Sequence, residues 1–313
     1  MSIVFIGTPD FAVPSLRRLA ADGHSIALVV TQPDRPSGRG QRLAPPPVKT
    51  AAESLGLTVI QPPTLRDEAV LNQLRALEPE AMVAVAYGQI LRQALLDIAP
   101  RGVLNVHPSL LPKHRGASPI AGAILAGDDE TGVSIMLMDA GMDSGPVLAQ
   151  RRVPLSGDET TGALTASLAE VGADLLAETL PRWLAGEIEP QPQDGSQSTV
   201  TRLIKKEDGA IDWSLSAEEI ARRVRAYNPW PGASTILNGE TLHIWRAVSV
   251  AGSSGEPPGT IVVPPEAIDP ALSVQAGDGL LEVHDLQRAG RKSLSATDFL
   301  RGMPRVIGQR LGA

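Results

Sequence analysis

The 313-residue chain is 42% hydrophobic and 3% aromatic, which excludes general disorder and means that aliphatic side chains must form the core. It has no cysteine, which excludes disulfides, thiolate zinc sites and cysteine nucleophiles and fits a reducing cytoplasm. The net charge of −7 by itself argues against nucleic acid as a partner, but residues 1–200 carry all of it and residues 201–313 are neutral.

The amino-terminal sequence MSIVFIGTPD indicates neither a signal peptide nor a membrane anchor. It has no positively charged segment and only about four consecutive apolar residues, which is too few for a signal sequence. No apolar run elsewhere approaches the roughly 20 residues that a membrane-spanning helix needs. We therefore expect a cytoplasmic protein that does not contact membranes.

Short apolar runs alternate with amphipathic segments through the first part of the chain. The runs predicted as strands are residues 3–6, 26–30, 57–60, 81–87, 102–106, 132–138 and 146–155. The segments predicted as helices are residues 11–21, 48–55, 67–77, 89–98 and 160–184. Because the strands are continuous apolar runs separated by helices, they predict an α/β fold with a doubly wound, mostly parallel sheet.

The composition changes after this region. Residues 189–205 are rich in Pro, Gln and Ser and lack apolar periodicity, so we predict a linker between domains at residues 1–188 and 206–313. The second domain begins with a helix at residues 216–227, with Ser216 as its N-cap. Two turn pairs then predict β-hairpins, Asn238-Gly239 and Asp278-Gly279. We expect this domain to be a small β-barrel.

Asn105 and His107 lie at the carboxyl end of the strand predicted at residues 102–106, in the sequence GVLNVHPSLLP. Ligands of doubly wound sheets bind at such strand ends, so the pair is a candidate for an active site. Asn and His also favour loops for local reasons, which would make Asn105 a loop cap and His107 a surface residue. From the spacing alone, the loop interpretation is the more common one.

The segment MDAGMDSGPVL, residues 138–148, offers acidic partners for that histidine. Asp139 and Asp143 follow a predicted strand, and the neighbouring glycines allow the backbone to turn tightly and approach a ligand. A carboxylate beside a histidine orients the ring and raises its pKa. Asp143 fits a turn residue equally well, so both roles stay open on spacing alone.

Three other chemistries have little support in the sequence. A protein metal site normally needs three ligands, and the nearby His114 is flanked by Lys113 and Arg115, whose charges disfavour a cation. The G-x-S-x-G motif of serine hydrolases and the G-x-G-x-x-G motif of dinucleotide-binding proteins are both absent. We therefore expect no metal, no serine nucleophile and no nicotinamide cofactor.

A basic segment occurs within the acidic part of the chain. Residues 35–52 contain four basic residues and no acidic residue. Such a segment is either a solvated connection or a contact for a polyanion, and composition alone favours the first.

Five motifs, in order and with matching spacing, resemble the methionyl-tRNA formyltransferase family. They are GTPDFAVPSL, TQPDRPSGRGQRL, AYGQIL, NVHPSLLPKHRGASPI and DAGMDSGP. The resemblance continues beyond the predicted linker in KKEDGAIDWSLSAEEIARRVRAYNPWPGA and GDGLLEV, so it covers the whole chain. It implies a Rossmann-like formyltransferase domain followed by an OB-like β-barrel that binds tRNA.

The resemblance implies transfer of a formyl group from 10-formyltetrahydrofolate to the α-amino group of initiator methionyl-tRNA, for the initiation of protein synthesis. The family's catalytic Asn, His and Asp fall on Asn105, His107 and Asp143. Asn105 and protonated His107 would donate N–H groups to the negative formyl oxygen, and Asp143 would support His107 and relay the proton. The reaction needs no metal and no covalent enzyme intermediate, and we expect a monomer.

The resemblance also implies which residues bind the substrates. Those implied to contact the folate are Tyr87, Gly88, Ile90, Leu91, Ser109, Leu110, Leu111, Pro112, Asp139 and Gly141. Those implied to contact tRNA are Arg35, Arg39, Arg42, Lys49 and Lys206, with Arg222, Arg223, Arg225, Arg288, Arg291 and Lys292 as further candidates. Two features depart from the family pattern: the second domain lacks net positive charge, and Pro108 replaces a residue that is usually small.

The nearest alternative is a sugar-nucleotide N-formyltransferase, which uses the same folate donor and the same Asn–His–Asp trio. The segment TQPDRPSGRGQRL favours the tRNA enzymes, because the sugar enzymes lack it. A non-catalytic folate- or RNA-binding protein with the same fold is a further alternative, against which the intact trio argues.

Overall fold

A computed structural model describes residues 2–37, 42–263 and 272–312 of the chain. Contacts between residues divide the chain into two units. The first comprises residues 1–119, 130–154 and 165–201, and the second comprises residues 120–129, 155–164 and 202–313.

The elements up to Thr201 follow the predicted alternation of strands and helices. The strands are β1 (Ser2–Gly7), β2 (Ser25–Val30), β3 (Arg35–Ser37), β4 (Arg42–Ala44), β5 (Val59–Ile60), β6 (Ala81–Val85), β7 (Val103–His107), β8 (Arg115–Gly116), β9 (Glu130–Leu137), β10 (Val147–Pro154) and β11 (Val200–Thr201). The helices are α1 (Val13–Ala21), α2 (Pro47–Ser54), α3 (Glu68–Ala76), α4 (Gln93–Leu96), α5 (Pro119–Ala126) and α6 (Thr161–Leu184).

Seven of these strands form one sheet in the order β10-β9-β7-β6-β1-β2-β5. The five strands from β7 to β5 are parallel, whereas β9 is antiparallel to β7 and β10 is antiparallel to β9. The chain builds outward from β1 through β2 and β5, and then returns to add β6 and β7 on the other side. The strand order therefore reverses between β1 and β6, and the predicted doubly wound, mostly parallel sheet is confirmed.

The central strands are buried because their residues are apolar on both faces. All five residues of β6 are buried, and so are five of the six residues of β1. Val4, Ile6 and Met82 belong to one apolar cluster with Leu71 and Leu74 of α3. This packing holds the strand ends in fixed positions, as a site at the end of β7 requires.

Helix α4 is shorter than the sequence predicts. The prediction covered residues 89–98, but the helix contains only Gln93–Leu96. Ala86 and Gly88 have left-handed backbone angles, with φ of 46° and 85°, and the side chain of Gln89 donates to the carbonyl oxygen of Pro63 at 3.1 Å. The chain turns here instead of starting a helix, which leaves residues 86–92 as an irregular loop after β6.

The segment predicted as a linker has regular contacts with the first unit. Gln191 forms an antiparallel bridge with Val147, residues 195–197 form a short 3-10 helix, and β11 pairs in parallel with β8. The last boundary of the contact-based division between the two units falls between residues 201 and 202. The boundaries at 188 and 206 that the sequence suggests stay predictions.

From residue 202 onward, the second unit contains a helix, an antiparallel sheet and a second short helix. The elements are α7 (Ala217–Ala226), β12 (Ala233–Leu237), β13 (Glu240–Val250), β14 (Ile261–Val262), β15 (Leu272–Gln275), β16 (Leu280–Arg288), β17 (Leu294–Ser295) and α8 (Ala296–Gly302). The strands pair in the order β12-β13-β16-β15-β14, with β17 also on β16, and form a curled half-barrel. This confirms a small, barrel-like second domain.

The local signals of this unit are confirmed in detail. The Ser216 hydroxyl accepts from the backbone of Glu219, whose carboxylate in turn accepts from the backbone of Ser216, so α7 begins with a capping box. Asn238 and Gly239 have φ angles of 50° and 77°, as the two-residue turn between β12 and β13 requires. Ile220 and Val224 of α7 are fully buried in the apolar cluster of the sheet.

No helix in the described ranges of the chain is long and apolar enough to cross a membrane. The cytoplasmic location and the monomeric state that the sequence suggests stay predictions.

Candidate active site

Strand β7 carries the two polar residues that the sequence singles out. Asn105 pairs with Ala84 of β6 on one side and with Met136 of β9 on the other, and His107 is the last residue of the strand. Because the residues are two apart on one strand, their side chains leave the same face of the sheet. The apolar neighbours of β7 fix the backbone of both residues within the core of the first unit.

The imidazole of His107 is 4% exposed and lies between two protein groups. Its Nε2 lies 3.1 Å from the carbonyl oxygen of His114, and its Nδ1 lies 3.7 Å from Oδ1 of Asp143. Because a carbonyl oxygen only accepts hydrogen bonds, Nε2 carries the hydrogen in this arrangement. Nδ1 is then the nitrogen that can take up a further proton.

Burial lowers the pKa of His107 below its ordinary value, because the buried ring is costly to charge. The carboxylate of Asp143 acts in the opposite direction and raises that pKa, and so does the hydrogen bond to the His114 carbonyl, whereas the side-chain charge of His114 lowers it. The net direction is downward, so His107 is neutral at neutral pH and its Nδ1 is a proton acceptor.

Asp143 belongs to the loop between β9 and β10. Its φ angle is 49°, a left-handed conformation that aspartate tolerates better than most residues, and its Oδ2 accepts from the backbone N–H of Gly116 at 2.8 Å. Because β9 is antiparallel to β7, Leu137 at its end pairs with Leu104 and not with His107. The loop must therefore fold back along β7 to bring Asp143 to the histidine.

Asn105 supplies a polar group that is available to a ligand. Its side chain is partly exposed, and among the described residues it has no hydrogen-bond partner. The amide can therefore donate two N–H groups to a bound molecule.

The segment from Ser109 to Pro112 forms a tightly bonded loop after β7. The Ser109 hydroxyl is buried and donates to the carbonyl oxygen of Lys113 at 2.6 Å, and the Leu111 N–H donates to the Ser134 hydroxyl at 3.1 Å. Leu111 is 5% exposed, whereas Leu110 and Pro112 are partly exposed. Ser109 therefore stabilises the loop, and the other residues of the segment can form a wall; their contact with folate stays a prediction.

The remaining residues predicted to contact folate lie in two other loops. Tyr87 and Leu91 are each 5% exposed, and Ile90 is 78% exposed. Asp139 and Gly141 are exposed, and the Asp139 carboxylate accepts from the Gly141 N–H at 3.0 Å. Of the apolar side chains predicted to contact folate in the loop after β6, Ile90 is thus the one that is open to a ligand.

A cavity of about 460 Å³ lies where the strand order reverses between β1 and β6. Its walls come from the loops after β1, β2 and β6, and they include Thr8, Gln32, Arg35, Tyr87 and Gly88. The Thr8 hydroxyl and the Gln32 amide both donate to the carbonyl oxygen of Tyr87, at 3.1 and 2.9 Å. Ligands of doubly wound sheets bind at this position, so the cavity is a second place in this unit where a ligand could bind.

The residues predicted to contact tRNA differ in how they are held. Arg35 is exposed and its guanidinium contacts the side chain of Gln32. Lys49 forms an ion pair with Asp34, with its Nζ 2.9 Å from Oδ1. Arg39 lies outside the described residues, and Arg42 begins β4, which pairs with β3. The charge of Lys49 is thus already balanced within the protein.

Acidic neighbours also neutralise part of the positive charge of the second unit. Lys206 is exposed at the start of a short 3-10 helix. Arg222 pairs with Glu218 at 2.8 Å, and Arg288 pairs with Glu240 at 2.6 Å. These ion pairs reduce the positive charge that the second unit can offer to phosphates.

Three side chains that the sequence did not single out support the site. Gln193 donates to the carbonyl oxygens of Asp143 and Gly145, Arg115 donates to Gln193, and the Thr199 hydroxyl accepts from the His114 N–H. Gln193 and Thr199 lie in the segment predicted as a linker, where nothing in the composition signals contact with a site.

Within residues 2–37, 42–263 and 272–312, no three His, Asp or Glu side chains are grouped so that they could bind a metal ion together. The absence of a metal from the reaction stays a prediction.

The chain matches two families of known proteins. Residues 1–180 match the family described as "Formyl transferase", and residues 203–304 match "Formyl transferase, C-terminal domain". A methionyl-tRNA formyltransferase of Chloroflexus aurantiacus is 52% identical over 303 residues, which are 97% of this chain and 97% of that protein.

Two solved structures share the fold. The N-formyltransferase of Helicobacter canadensis, in complex with folinic acid and dTDP-3-aminofucose, has a TM-score of 0.67 at 18% identity and covers 91% of this chain and 98% of its own. A methionyl-tRNA formyltransferase from Clostridium thermocellum has a TM-score of 0.53 at 20% identity and covers 82% of this chain and 95% of its own. At these identities the likeness supports the fold alone.

Proposed function

Because the chain belongs to the methionyl-tRNA formyltransferase family, we propose that it transfers a formyl group from 10-formyltetrahydrofolate to the α-amino group of initiator methionyl-tRNA. The product would be N-formylmethionyl-tRNA, which initiates protein synthesis. The observation that carries this proposal is the arrangement of one free amide, one buried imidazole and one carboxylate at the end of β7.

Asn105 would stabilise the negative charge of the transition state. When the amine attacks the formyl carbon, charge develops on the formyl oxygen, and an amide N–H can donate to it. Asn105 suits this role because its amide has no other partner within the described residues. His107 is less suited, because its Nε2 hydrogen is already directed at the His114 carbonyl.

His107 and Asp143 would handle the proton of the attacking amine. The amine must be neutral to attack and must lose a proton as the new C–N bond forms, while the folate nitrogen gains one as its bond to the formyl carbon breaks. Neutral Nδ1 can accept the first proton, and the Asp143 carboxylate 3.7 Å away stabilises the resulting imidazolium. The same ring can then return a proton to the leaving folate nitrogen.

The two substrates would approach the site from different loops. The folate would bind beside the loops after β6 and β7, where Ile90, Leu110 and Pro112 remain accessible. The acceptor end of the tRNA would meet the β3–β4 segment, which carries the predicted Arg35, Arg39 and Arg42 and borders the cavity at the strand reversal. Arginine suits both phosphates and base edges because of its planar set of donors.

The purified protein can be assayed with 10-formyltetrahydrofolate and three acceptors: methionyl-tRNA, uncharged tRNA and a dTDP-linked amino sugar. Formylation of methionyl-tRNA alone is expected. Formylation of the amino sugar in its place would overturn the proposed acceptor, and no formylation of any acceptor by the folded protein would overturn the proposed activity.

A further inference from the structure

The carboxamide of Gln193 contacts the loop that carries Asp143. Its Nε2 donates to the carbonyl oxygen of Asp143 at 2.8 Å and to that of Gly145 at 2.7 Å. Both hydrogens of the amide are therefore used, and they hold two carbonyl oxygens that are two residues apart. Two anchored carbonyls on either side of Ser144 fix the path of the backbone at the position of the carboxylate.

Arg115 fixes the orientation of that carboxamide. Its Nε and Nη2 donate to Oε1 of Gln193 at 3.1 and 2.8 Å. A rotated amide would place its NH2 group against the guanidinium and its oxygen against two carbonyl oxygens, so only one orientation is favourable. The side chain thus has partners for all of its polar atoms and has little freedom to move.

The residue that follows Arg115 also binds Asp143, at its side chain. The backbone N–H of Gly116, the residue after Arg115, donates to Oδ2 of Asp143 at 2.8 Å. Both residues are held by β11, because Arg115 pairs with Val200 and Gly116 pairs with Thr201. Asp143 is therefore fixed at its carboxylate through Gly116 and at its backbone through Arg115 and Gln193.

These hydrogen bonds are needed to position Asp143, because its backbone is left-handed and its carboxylate does not hydrogen bond directly to His107. The gap between Nδ1 and Oδ1 is 3.7 Å, which is too long for a hydrogen bond, so nothing in that contact holds the loop in place. The position of the carboxylate must come from other contacts, and those of Gln193 and Gly116 are the hydrogen bonds that reach Asp143 within the described residues.

We propose that Gln193, oriented by Arg115, is a positioning residue that fixes the backbone of Asp143 and thereby sets the distance between its carboxylate and His107. The expected effect on the rate of formyl transfer rests on the proposed function. The expected effect on the distance between Asp143 and His107 does not. In wild-type protein the carboxylate stays close enough to favour protonation of His107. Without Gln193 the backbone of the loop loses two hydrogen bonds, and the contact with Gly116 alone lets the carboxylate move away from His107.

A geometric test measures the pKa of His107 by NMR titration. The imidazole signal is assigned by its absence from a His107→Asn variant. Asp143 and His114 are the titratable groups that face this ring, and of the two only the Asp143 loop is held by Gln193. The pKa of His107 is expected to fall in Gln193→Ala, as it should in Asp143→Asn, and to stay unchanged in Gln197→Ala. Gln197 is the matched control, because among the described residues its amide donates to the Asp194 carboxylate and to no other group.

A kinetic test compares the same variants in formylation of methionyl-tRNA. Gln193→Ala is expected to lower kcat by about 10- to 100-fold, with the KM for both substrates within about twofold of wild type. Gln193→Glu should be equally impaired, because a carboxylate would face two carbonyl oxygens. Arg115→Lys should show a smaller loss of the same kind, because lysine cannot hold Oε1 with two donors.

The two tests separate failure of the inference from failure of the proposed function. An unchanged His107 pKa in folded Gln193→Ala protein overturns the positioning role, whatever the activity. A lowered pKa together with an inactive wild-type enzyme supports the positioning role and overturns formyl transfer. Wild-type kcat in both Gln193→Ala and Gln193→Glu would show that the position of Asp143 does not depend on Gln193.

Discussion

Nδ1 of His107 lies 3.7 Å from Oδ1 of Asp143, although Asp143 follows β9, which runs antiparallel to the strand that carries His107. β7 ends at His107, whereas β9 ends beside Leu104, near the start of β7. The loop after β9 returns along the sheet and is held by the hydrogen bond from the Leu137 N–H to the Pro146 carbonyl oxygen at 2.9 Å. The contact is therefore a property of the folded loop and gives His107 a carboxylate partner inside a buried site.

Replacing the carboxylate should change the pH dependence of the reaction. Burial lowers the pKa of His107 and Asp143 raises it, so Asp143→Asn should lower that pKa further. Activity is lost at low pH when His107 becomes protonated, and the acid limb of the kcat profile should therefore move to lower pH in the variant. Its maximal kcat should also fall, because the imidazolium formed during the reaction loses its counter-charge. Rates measured from about pH 5 to 8 test this, and a limb that moves to higher pH would contradict it.

Removing the free amide should slow the chemical step and leave binding largely intact. Asn105→Ala is expected to lower kcat by about 10²- to 10³-fold, because one donor to the developing oxyanion is lost. Steady-state kinetics with both substrates varied would separate kcat from KM. Asn72→Ala is a matched control, since Asn72 is exposed on α3 and accepts from Arg75. Near-native kcat in folded Asn105→Ala protein would exclude Asn105 from the oxyanion site.

The pairing of β8 with β11 should be sensitive to a single methyl group. A Cβ at Gly116 would lie 2.3 Å from the carbonyl oxygen of Thr201, and the φ angle of Gly116 is +102°. Gly116→Ala should therefore lower the free energy of unfolding by about 2 kcal/mol and reduce kcat, since Gly116 also donates to Asp143. Gly195→Ala is the control, because a Cβ there meets no atom within 4 Å. Denaturant titrations of both variants provide the comparison, and equal stability would contradict the expectation.

Contacts with tRNA phosphates should appear in the salt dependence of KM. Arg39→Ala should raise the KM for methionyl-tRNA and reduce the slope of log KM against log salt by about one. Lys49→Ala should change the slope less, because Lys49 is already paired with Asp34 at 2.9 Å. Measurements from low to moderate salt distinguish the two variants. An equal change of slope in both would show that the Asp34 ion pair opens on binding.

The sequence predicts which residues form the site better than it predicts the contacts between them. The apolar runs predict the strands of the sheet, and the position of Asn105 and His107 at the end of β7 follows from them. The partnership with Asp143 required the family resemblance, because β9 turns out to be antiparallel and the rule for parallel strand ends does not apply to it.

The residues that hold the site in place could not be predicted, because their contacts are with residues far away in the sequence. Gln193 and Thr199 lie in a polar segment without periodicity, and their partners are at least 48 residues away in the chain. In the same way, the helix that the periodicity of residues 89–98 favours is reduced to Gln93–Leu96, because Gln89 hydrogen bonds to Pro63 and Arg92 is extended, with a ψ angle of 161°. Both are tertiary effects that override local preference.

The most direct test of the account follows a labelled formyl group from 10-formyltetrahydrofolate to methionyl-tRNA in a single turnover. After hydrolysis of the aminoacyl ester, the label should be found in N-formylmethionine, and its transfer should slow by orders of magnitude in folded Asn105→Ala and Asp143→Asn proteins. Absence of labelled N-formylmethionine with wild-type protein, or transfer at the wild-type rate in both variants, would contradict it.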